Sequence, residues 1–260
     1  MDKNLSEVKN VAKKTVIELG QLGTFDEHGI FPINPCRDGD RIVAYTCGWN
    51  RRISVPVETA IGLVESFDNG ETFVRLGHGP VLGASLKEPV LVGDGFVKKY
   101  DNSYYMWYIF GTKWIKQTPD EPQARVYKIG YAISNDGSNW KKHDGVQIIK
   151  DVLNEDECQA LPSVTKIGNR FHMYFCFREA TDFRKNPNRG YKLGYAFSDD
   201  LINWVRDDSQ SGISNEENEW DTEMKCYPHI FEVEGKVFLL YNGNEFGKSG
   251  FGLAELLTTE

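Results

Sequence analysis

Four segments of this 260-residue chain set acidic side chains just ahead of an apolar run. They are Thr24-Phe25-Asp26-Glu27-His28, Lys87-Glu88 running on to Gly93-Asp94-Gly95, Glu155-Asp156-Glu157-Cys158, and Trp220-Asp221-Thr222-Glu223, the last followed by Lys225, Tyr227 and His229. Like charges gathered at one place repel, so acids brought together from four segments point to a site that uses carboxylates. Carboxylates beside aromatic rings suit chemistry at a glycosidic bond. One protonates the leaving oxygen, and a second activates water or attacks the anomeric carbon. Trp49 and Trp114 follow apolar runs at equivalent places and could stack on sugar rings, while Arg178 and Asn242 hold the matching places in the later segments. Trp, Trp, Arg and Asn at equivalent places read as a pocket rim. Each residue also has a plainer reading: solvated loop acids, loop-packing tryptophans, a core histidine at His229, and Arg178 and Lys225 paired with nearby acids.

What must position these residues is a repeat. Ile61-Gly62-Leu63-Val64-Glu65-Ser66-Phe67-Asp68, Ile129-Gly130-Tyr131-Ala132-Ile133-Ser134-Asn135-Asp136 and Leu193-Gly194-Tyr195-Ala196-Phe197-Ser198-Asp199-Asp200 carry one phrase, each closed by an aromatic at Phe73, Trp140 or Trp204. A fourth copy begins at Phe251-Gly252-Leu253-Ala254. Self-similarity at roughly 60 to 70 residues suits a four-stranded blade, and the fold class read from it is all-β, a β-propeller with four blades visible. Within a unit, Gly95–Tyr100 reads as the inner strand, Asp101-Asn102 as a tight turn and Tyr104–Phe110 as a strand buried on both faces. Arg41–Thr46, Arg170–Cys176 and Lys236–Tyr241 match that second strand. The Ser-x-Asp turn and the aromatic after it read as structural. Units begin near Asp26, Asp94, Glu157 and Glu223, so the ends of the inner strands, and the acids with them, should converge on the axis.

The last unit has no edge strand after Glu255. Lys14–Leu19 could supply it by pairing the two chain ends, whereas residues 1–12, with Leu5, Val8, Val11 and Ala12 at helical spacing, could form a short helix. The domain reading is an N-terminal extension over 1–13 and one propeller domain over 14–260.

A net charge of −8 without a Lys/Arg cluster argues against nucleic-acid or membrane partners. The first residues lack a signal-peptide core, and a cytoplasmic location is expected. Five scattered cysteines read as buried free thiols. No metal-ligand spacing is present and no cofactor is expected, although a carboxylate-lined axis could hold calcium.

Gly23-Thr24-Phe25-Asp26-Glu27-His28-Gly29-Ile30-Phe31-Pro32, Gly48-Trp49-Asn50, the Gly-Tyr-Ala-x-Ser-x-Asp phrases, and Trp220–Pro228 followed by Tyr241-Asn242-Gly243-Asn244 together resemble the furanosidase-type five-bladed propellers. Those include glycoside hydrolase families 32, 43, 68 and 130. The resemblance covers residues 14–256, with one blade apparently missing ahead of Asp26. It implies a glycosidase-like enzyme acting on an oligosaccharide or glycoconjugate, with Asp26 as base or nucleophile, Asp94 supporting (Glu88 competing) and Glu157 as acid (Glu155 competing). Substrate contacts would come from Trp49, Trp114, Arg178, Glu223, Tyr227, His229 and Asn242. Phe-Asp-Glu and Gly-Asp-Gly stand where families 32 and 68 carry Asn-Asp-Pro and Arg-Asp-Pro. Phosphorolysis, with Arg178, Lys225 and His229 as phosphate-binding candidates, and a sugar-binding propeller without turnover are the alternatives. A second copy or another partner completing the ring is also expected as an option.

Overall fold

The repeat units fold into fifteen strands in the computed structural model, which describes residues 5, 7–116, 118, 121–213 and 219–257. The first sheet contains β1 (Gly29–Asp38), β2 (Arg41–Arg51), β3 (Val57–Ser66) and β4 (Val74–Arg75). The second contains β5 (Val92–Tyr100), β6 (Ser103–Ile115), β7 (Ala124–Ser134) and β8 (Lys141–Lys142). The third contains β9 (Cys158–Ile167), β10 (Arg170–Arg178), β11 (Lys192–Ser198) and β12 (Val205–Arg206). The fourth, with β13 (Cys226–Val233), β14 (Lys236–Asn242) and β15 (Phe251–Glu255), is three-stranded among the described residues. Within each sheet the strands lie in sequence order and pair antiparallel, so the chain forms a four-bladed β-propeller.

Inner strands pack in succession around the axis, β1 on β5, β5 on β9 and β9 on β13. Between the last blade and the first the ring is narrower: the Phe31 and Tyr227 rings meet edge-on at 6.0 Å. Beyond that contact Ile33 on β1 and Phe251 and Leu253 on β15 are exposed.

Strand β6 shows why the middle of a blade is apolar on both faces. Trp107 and Ile109 point into the core shared with the third blade, whereas Met106, Tyr108 and Phe110 point into the core shared with the first. The Trp107 indole is fully buried and meets Trp204 edge-on at 6.0 Å. Glycine in the repeat phrase has an equally local cause. A Cβ on Gly62 would sit 2.5 Å from the Phe25 ring, and one on Gly252 2.4 Å from the Trp220 ring. The residue preceding each of Asp26 and Asp221 thus lies flat on the third strand of its own blade.

The Ser-x-Asp turn is structural, as expected. Ser134 Oγ donates to Asp136, which accepts from the Ser138 and Asn139 amides at 2.8 Å, and Asp200 repeats the arrangement with Ile202 and Asn203. These donors pull the Asp200 carboxyl down to about 2. All five cysteines are buried and unpaired. No described helix is long and apolar enough to cross a membrane. Of the two readings for the N-terminus, the helix over 1–12 falls partly outside the described residues, and residues 7–12 are not helical. Lys14–Leu19 is not a strand either; the Glu18 carbonyl instead accepts from Arg75 Nη2 at 2.6 Å.

Candidate active site

Each inner strand breaks register at the same phase. The pairings slip between Ile30 and Ile33, Gly93 and Phe96, Ala160 and Ser163, and Cys226 and His229. The residues thrown out of the ladder are Phe31-Pro32, Asp94-Gly95, Leu161-Pro162 and Tyr227-Pro228. Proline and glycine suit a bulge, since proline has no ladder N–H to lose and glycine tolerates the bend. Asp94, Leu161 and Tyr227 have φ of 51°, 50° and 57°, a left-handed backbone costing on the order of 1–3 kcal/mol per residue. Bulges of this kind re-aim a side chain. Here they turn Phe31, Asp94, Leu161 and Tyr227 into one axial cavity of about 200 Å³.

Among the described residues Asp94 is the one carboxylate lining this cavity. Protein surrounds it closely, and burial pushes its carboxyl up to about 6, with Arg125 and a hydrogen bond from the Leu161 backbone holding it back. Three guanidinium groups share the cavity. Arg125, from the start of β7, lies 5.2 Å over the Trp49 ring. Arg178, at the end of β10, is 3% exposed, donates to Tyr127 Oη at 2.7 Å and to the Glu179 carbonyl at 2.7 Å, and lies 3.6 Å over the Phe183 ring. Its Nε is buried with no hydrogen-bond partner among the described residues. Arg184 lies 4.6 Å over the Phe246 ring. None of the three is paired with a carboxylate among the described residues. Phe31, Trp49, Tyr191, Tyr227 and Phe246 complete an aromatic wall, and the Tyr127 and Tyr191 hydroxyls meet at 2.8 Å. Arg125, Arg178, Phe183 and Arg184 also border an outer cavity of about 640 Å³, which reaches Glu121, Asp182 and Lys185.

The other acids do not join Asp94. Asp26 is 2% exposed and bound by Arg75 through Nε at 3.0 Å and Nη2 at 2.6 Å. Glu88 is fully buried against Lys142 Nζ, Tyr108 Oη at 2.8 Å and the Gly145 amide at 3.0 Å. Glu157 is also fully buried, 2.6 Å from Arg206 Nη1, and accepts from the Val152 and Leu153 amides at 2.9 and 3.0 Å. Arg75, Lys142 and Arg206 all lie on outer strands. In the first three blades the incoming connection therefore crosses the blade's own outer strand before it turns toward the axis, and the acid latches it at the crossing. Asp221, in the fourth blade, holds the same place without an outer strand, bonded by Tyr241 Oη at 2.9 Å. The expectation that acids ahead of each strand converge on the axis is corrected accordingly: the carboxylates of Asp26, Glu88 and Glu157 are consumed by partly buried cations at the blade edge.

Among the expected substrate contacts, Trp49, Arg178 and Tyr227 line the axial cavity. Trp114 pairs opposite Arg125 and packs on the core instead. Glu223 is exposed, and its amide donates to Asn244 Oδ1 at 2.9 Å. His229 and Asn242 border an adjoining axial cavity of about 270 Å³ that shares Phe31, Asp94, Leu161 and Tyr227 with the first, and there His229 meets the Phe96 ring at 5.9 Å. Lys225 Nζ donates to the Asp221 carbonyl at 3.0 Å, and Glu155 is an exposed partner of Lys113. Arg125, Tyr127, Phe183, Arg184, Tyr191 and Phe246 were not expected at the site. Three X-Pro pairs and one Asp-Gly pair at one phase of the inner strands are the signal that finds the axis. No group of three or more Asp, Glu, His or Cys side chains suited to a metal occurs among the described residues, and the carboxylate lining considered for calcium reduces to Asp94.

No family model matches the chain. Two uncharacterized proteins of Mycobacterium tuberculosis are each 31% identical over 251 residues, spanning 96% of this chain and 79% of theirs. A β-1,2-mannobiose phosphorylase of a Thermoanaerobacter species is 28% identical over 136 residues, half of this chain and 43% of its own. Among solved structures, one described as a glycoside hydrolase superposes with TM-score 0.67 at 16% identity, covering 92% of this chain and 72% of that one. A thermostable family-43 glycoside hydrolase gives 0.62 at 13%, covering 89% and 72%. A structure described under the GH130 mannoside phosphorylases and β-1,2-mannosidic hydrolases gives 0.58 at 17%, covering 82% and 60%.

Proposed function

Since the chain belongs to the family of the two mycobacterial proteins and is built on the propeller of the family 43 and 130 glycosidases, we propose that it cleaves a glycosidic bond with inorganic phosphate as nucleophile. The observation that carries this reading is one carboxylate, Asp94, lining the cavity beside three guanidinium groups that form no salt bridge with a carboxylate among the described residues. Hydrolysis through two carboxylates needs them about 5 to 9.5 Å apart across the sugar. Phosphate removes that need. It is already ionised at neutral pH, so it needs cations to hold it and no base to activate it.

In the proposed reaction Arg125, Arg178 and Arg184 hold hydrogen phosphate against the anomeric carbon. A phosphate oxygen bonds to that carbon as the glycosidic C–O bond breaks, and protonated Asp94 gives its proton to the departing sugar oxygen. The glycosyl hydrogen phosphate then returns its proton to Asp94, so one disaccharide and one phosphate yield one free sugar and one sugar phosphate. An acid pushed up to about 6 is suited to that donation. The aromatic wall offers faces for sugar rings, and the relatives suggest a β-linked manno-oligosaccharide as the first substrate to try.

The test is incubation with β-linked mannose disaccharides, with and without inorganic phosphate, followed by measurement of sugar 1-phosphate. Phosphate-dependent release that Asp94→Asn abolishes is expected. Equal cleavage without phosphate, or undiminished cleavage by Asp94→Asn, would overturn the assignment; binding without turnover would replace it with a sugar-binding role.

A further inference from the structure

Three blades close their entrance with the same pair, an acid on the incoming connection and a cation on the outer strand: Asp26–Arg75, Glu88–Lys142 and Glu157–Arg206. The fourth has no outer-strand cation among the described residues; its acid has only Lys225, four residues along the same connection, with Nζ 3.6 Å from Asp221 Oδ2. Asp221 is 2% exposed, and its Oδ1 is buried with no hydrogen-bond partner among the described residues. Beside it, the outer edge of β15 is unpaired among the described residues, and Phe251 and Leu253 on that strand are 57% and 40% exposed. A free strand edge with apolar side chains and an unmatched buried acceptor is a site for an added strand that brings a cation.

The three complete blades specify that strand. Each outer strand follows an apolar-x-cation pattern, Phe73-Val74-Arg75, Trp140-Lys141-Lys142 and Trp204-Val205-Arg206. Each cation faces the fourth residue of the repeat phrase: Arg75 opposite Val64, Lys142 opposite Ala132, Arg206 opposite Ala196. From the cation to the acid that opens the next blade the chain runs 13 residues (Arg75 to Glu88), 15 (Lys142 to Glu157) and 15 (Arg206 to Asp221). Counting back 13 residues from Asp26, the acid of the first blade, reaches Lys13 in Val11-Ala12-Lys13, again apolar-x-cation. In this structure residues 11–13 are exposed and unpaired.

From this spacing we infer that Val11–Lys13 of the same chain docks on β15 as the missing outer strand, with Lys13 opposite Ala254 and its ammonium on Asp221. Thirteen residues reach on the order of 40 Å when extended, the same allowance that the other connections use between neighbouring blades. Closure joins the first blade to the last through backbone pairing as well as through the Phe31–Tyr227 contact.

In this register Ala12 faces Glu255, as Val74 faces Glu65 in the first blade. The Ala12→Cys, Glu255→Cys double variant of the full chain, mildly oxidised beside the parent with its five buried thiols, is expected to form an internal disulfide in the monomer. Disulfide-linked dimers would assign the edge to a second copy, and absence of any cross-link would refute the docking; either outcome overturns the inference. As a second measurement, Lys13→Glu is expected to speed amide exchange across Phe251–Glu255 at least tenfold, whereas Lys13→Arg leaves it unchanged. Equal exchange in the parent and Lys13→Glu would overturn the inference too.

Discussion

Replacing Asp94 by Asn tests the electrostatics of the axis without requiring a substrate. Burial pushes the Asp94 carboxyl from 3.8 up to about 6 in the folded protein. A raised carboxyl means that the native state prefers the protonated acid. Its contribution to stability is therefore fully present below about pH 4 and is lost as pH rises through about 6. About two pH units at 1.36 kcal/mol each set the loss at up to about 3 kcal/mol. Asn keeps the shape and stays neutral, so the variant escapes the loss. Relative to the parent, Asp94→Asn should be unchanged near pH 4 apart from a constant offset, and should gain up to about 3 kcal/mol by pH 8. At this chain length 1 kcal/mol moves Tm by roughly 2–4 °C, which makes the differential gain roughly 6–12 °C at its limit. Asn also accepts the left-handed φ of 51° readily, but that benefit does not vary with pH and subtracts out. The assay is thermal unfolding of both proteins from pH 4 to 8. A Tm difference that is flat with pH, or one that shrinks toward pH 8, would refute the buried-acid account.

Further expectations concern the same elements. Arg206→Met strips the cation from fully buried Glu157 and should cost about 3–5 kcal/mol in denaturant unfolding, whereas Glu157→Gln combined with Arg206→Met should recover most of it. If Glu157 is a latch, folded Glu157→Gln should keep the kcat of the parent in the phosphorolysis assay. Arg125→Ala should raise KM for phosphate at least tenfold with little change in KM for the sugar, and it should push the Asp94 carboxyl higher, seen as an upward shift of the alkaline limb of the pH–rate profile. Gly194→Ala would put a Cβ 2.4 Å from the Phe175 ring and should lower stability by about 1–3 kcal/mol, measurable as a reduced denaturant midpoint.

The fold was legible because its signal is periodic. The Gly-Tyr-Ala phrase with its Ser-x-Asp turn and closing Trp fixes the third and fourth strands of each blade, and the double-sided apolar run of β6 fixes the second. The site was less legible because two kinds of acid look alike in sequence. Asp26, Glu88 and Glu157 lie at the entry to an inner strand much as Asp94 does, yet only the outer-strand partners Arg75, Lys142 and Arg206, 49, 54 and 49 residues away, reveal that their charges are already matched. Asp94 stands apart through a purely local feature, the Asp-Gly pair at the phase where the other blades carry Phe-Pro, Leu-Pro and Tyr-Pro. Arg125 and Arg184 escape sequence reading for a different reason. Each is one arginine among 30 basic residues, and what marks it is the missing counter-ion, a property of three-dimensional surroundings.

The register slip in the inner strands separates what holds the ring from what the ring presents. A residue expelled from the ladder gives up no inter-strand bond when its side chain changes, so the four expelled positions work as interchangeable sockets in a common chassis. At present they carry Phe31, Asp94, Leu161 and Tyr227. A substitution in any one socket alters the chemistry at the axis while the latches and turns that assemble the blades stay untouched. Reprogramming such a ring is thus a matter of four addresses, one per blade, rather than of redesigning a sheet.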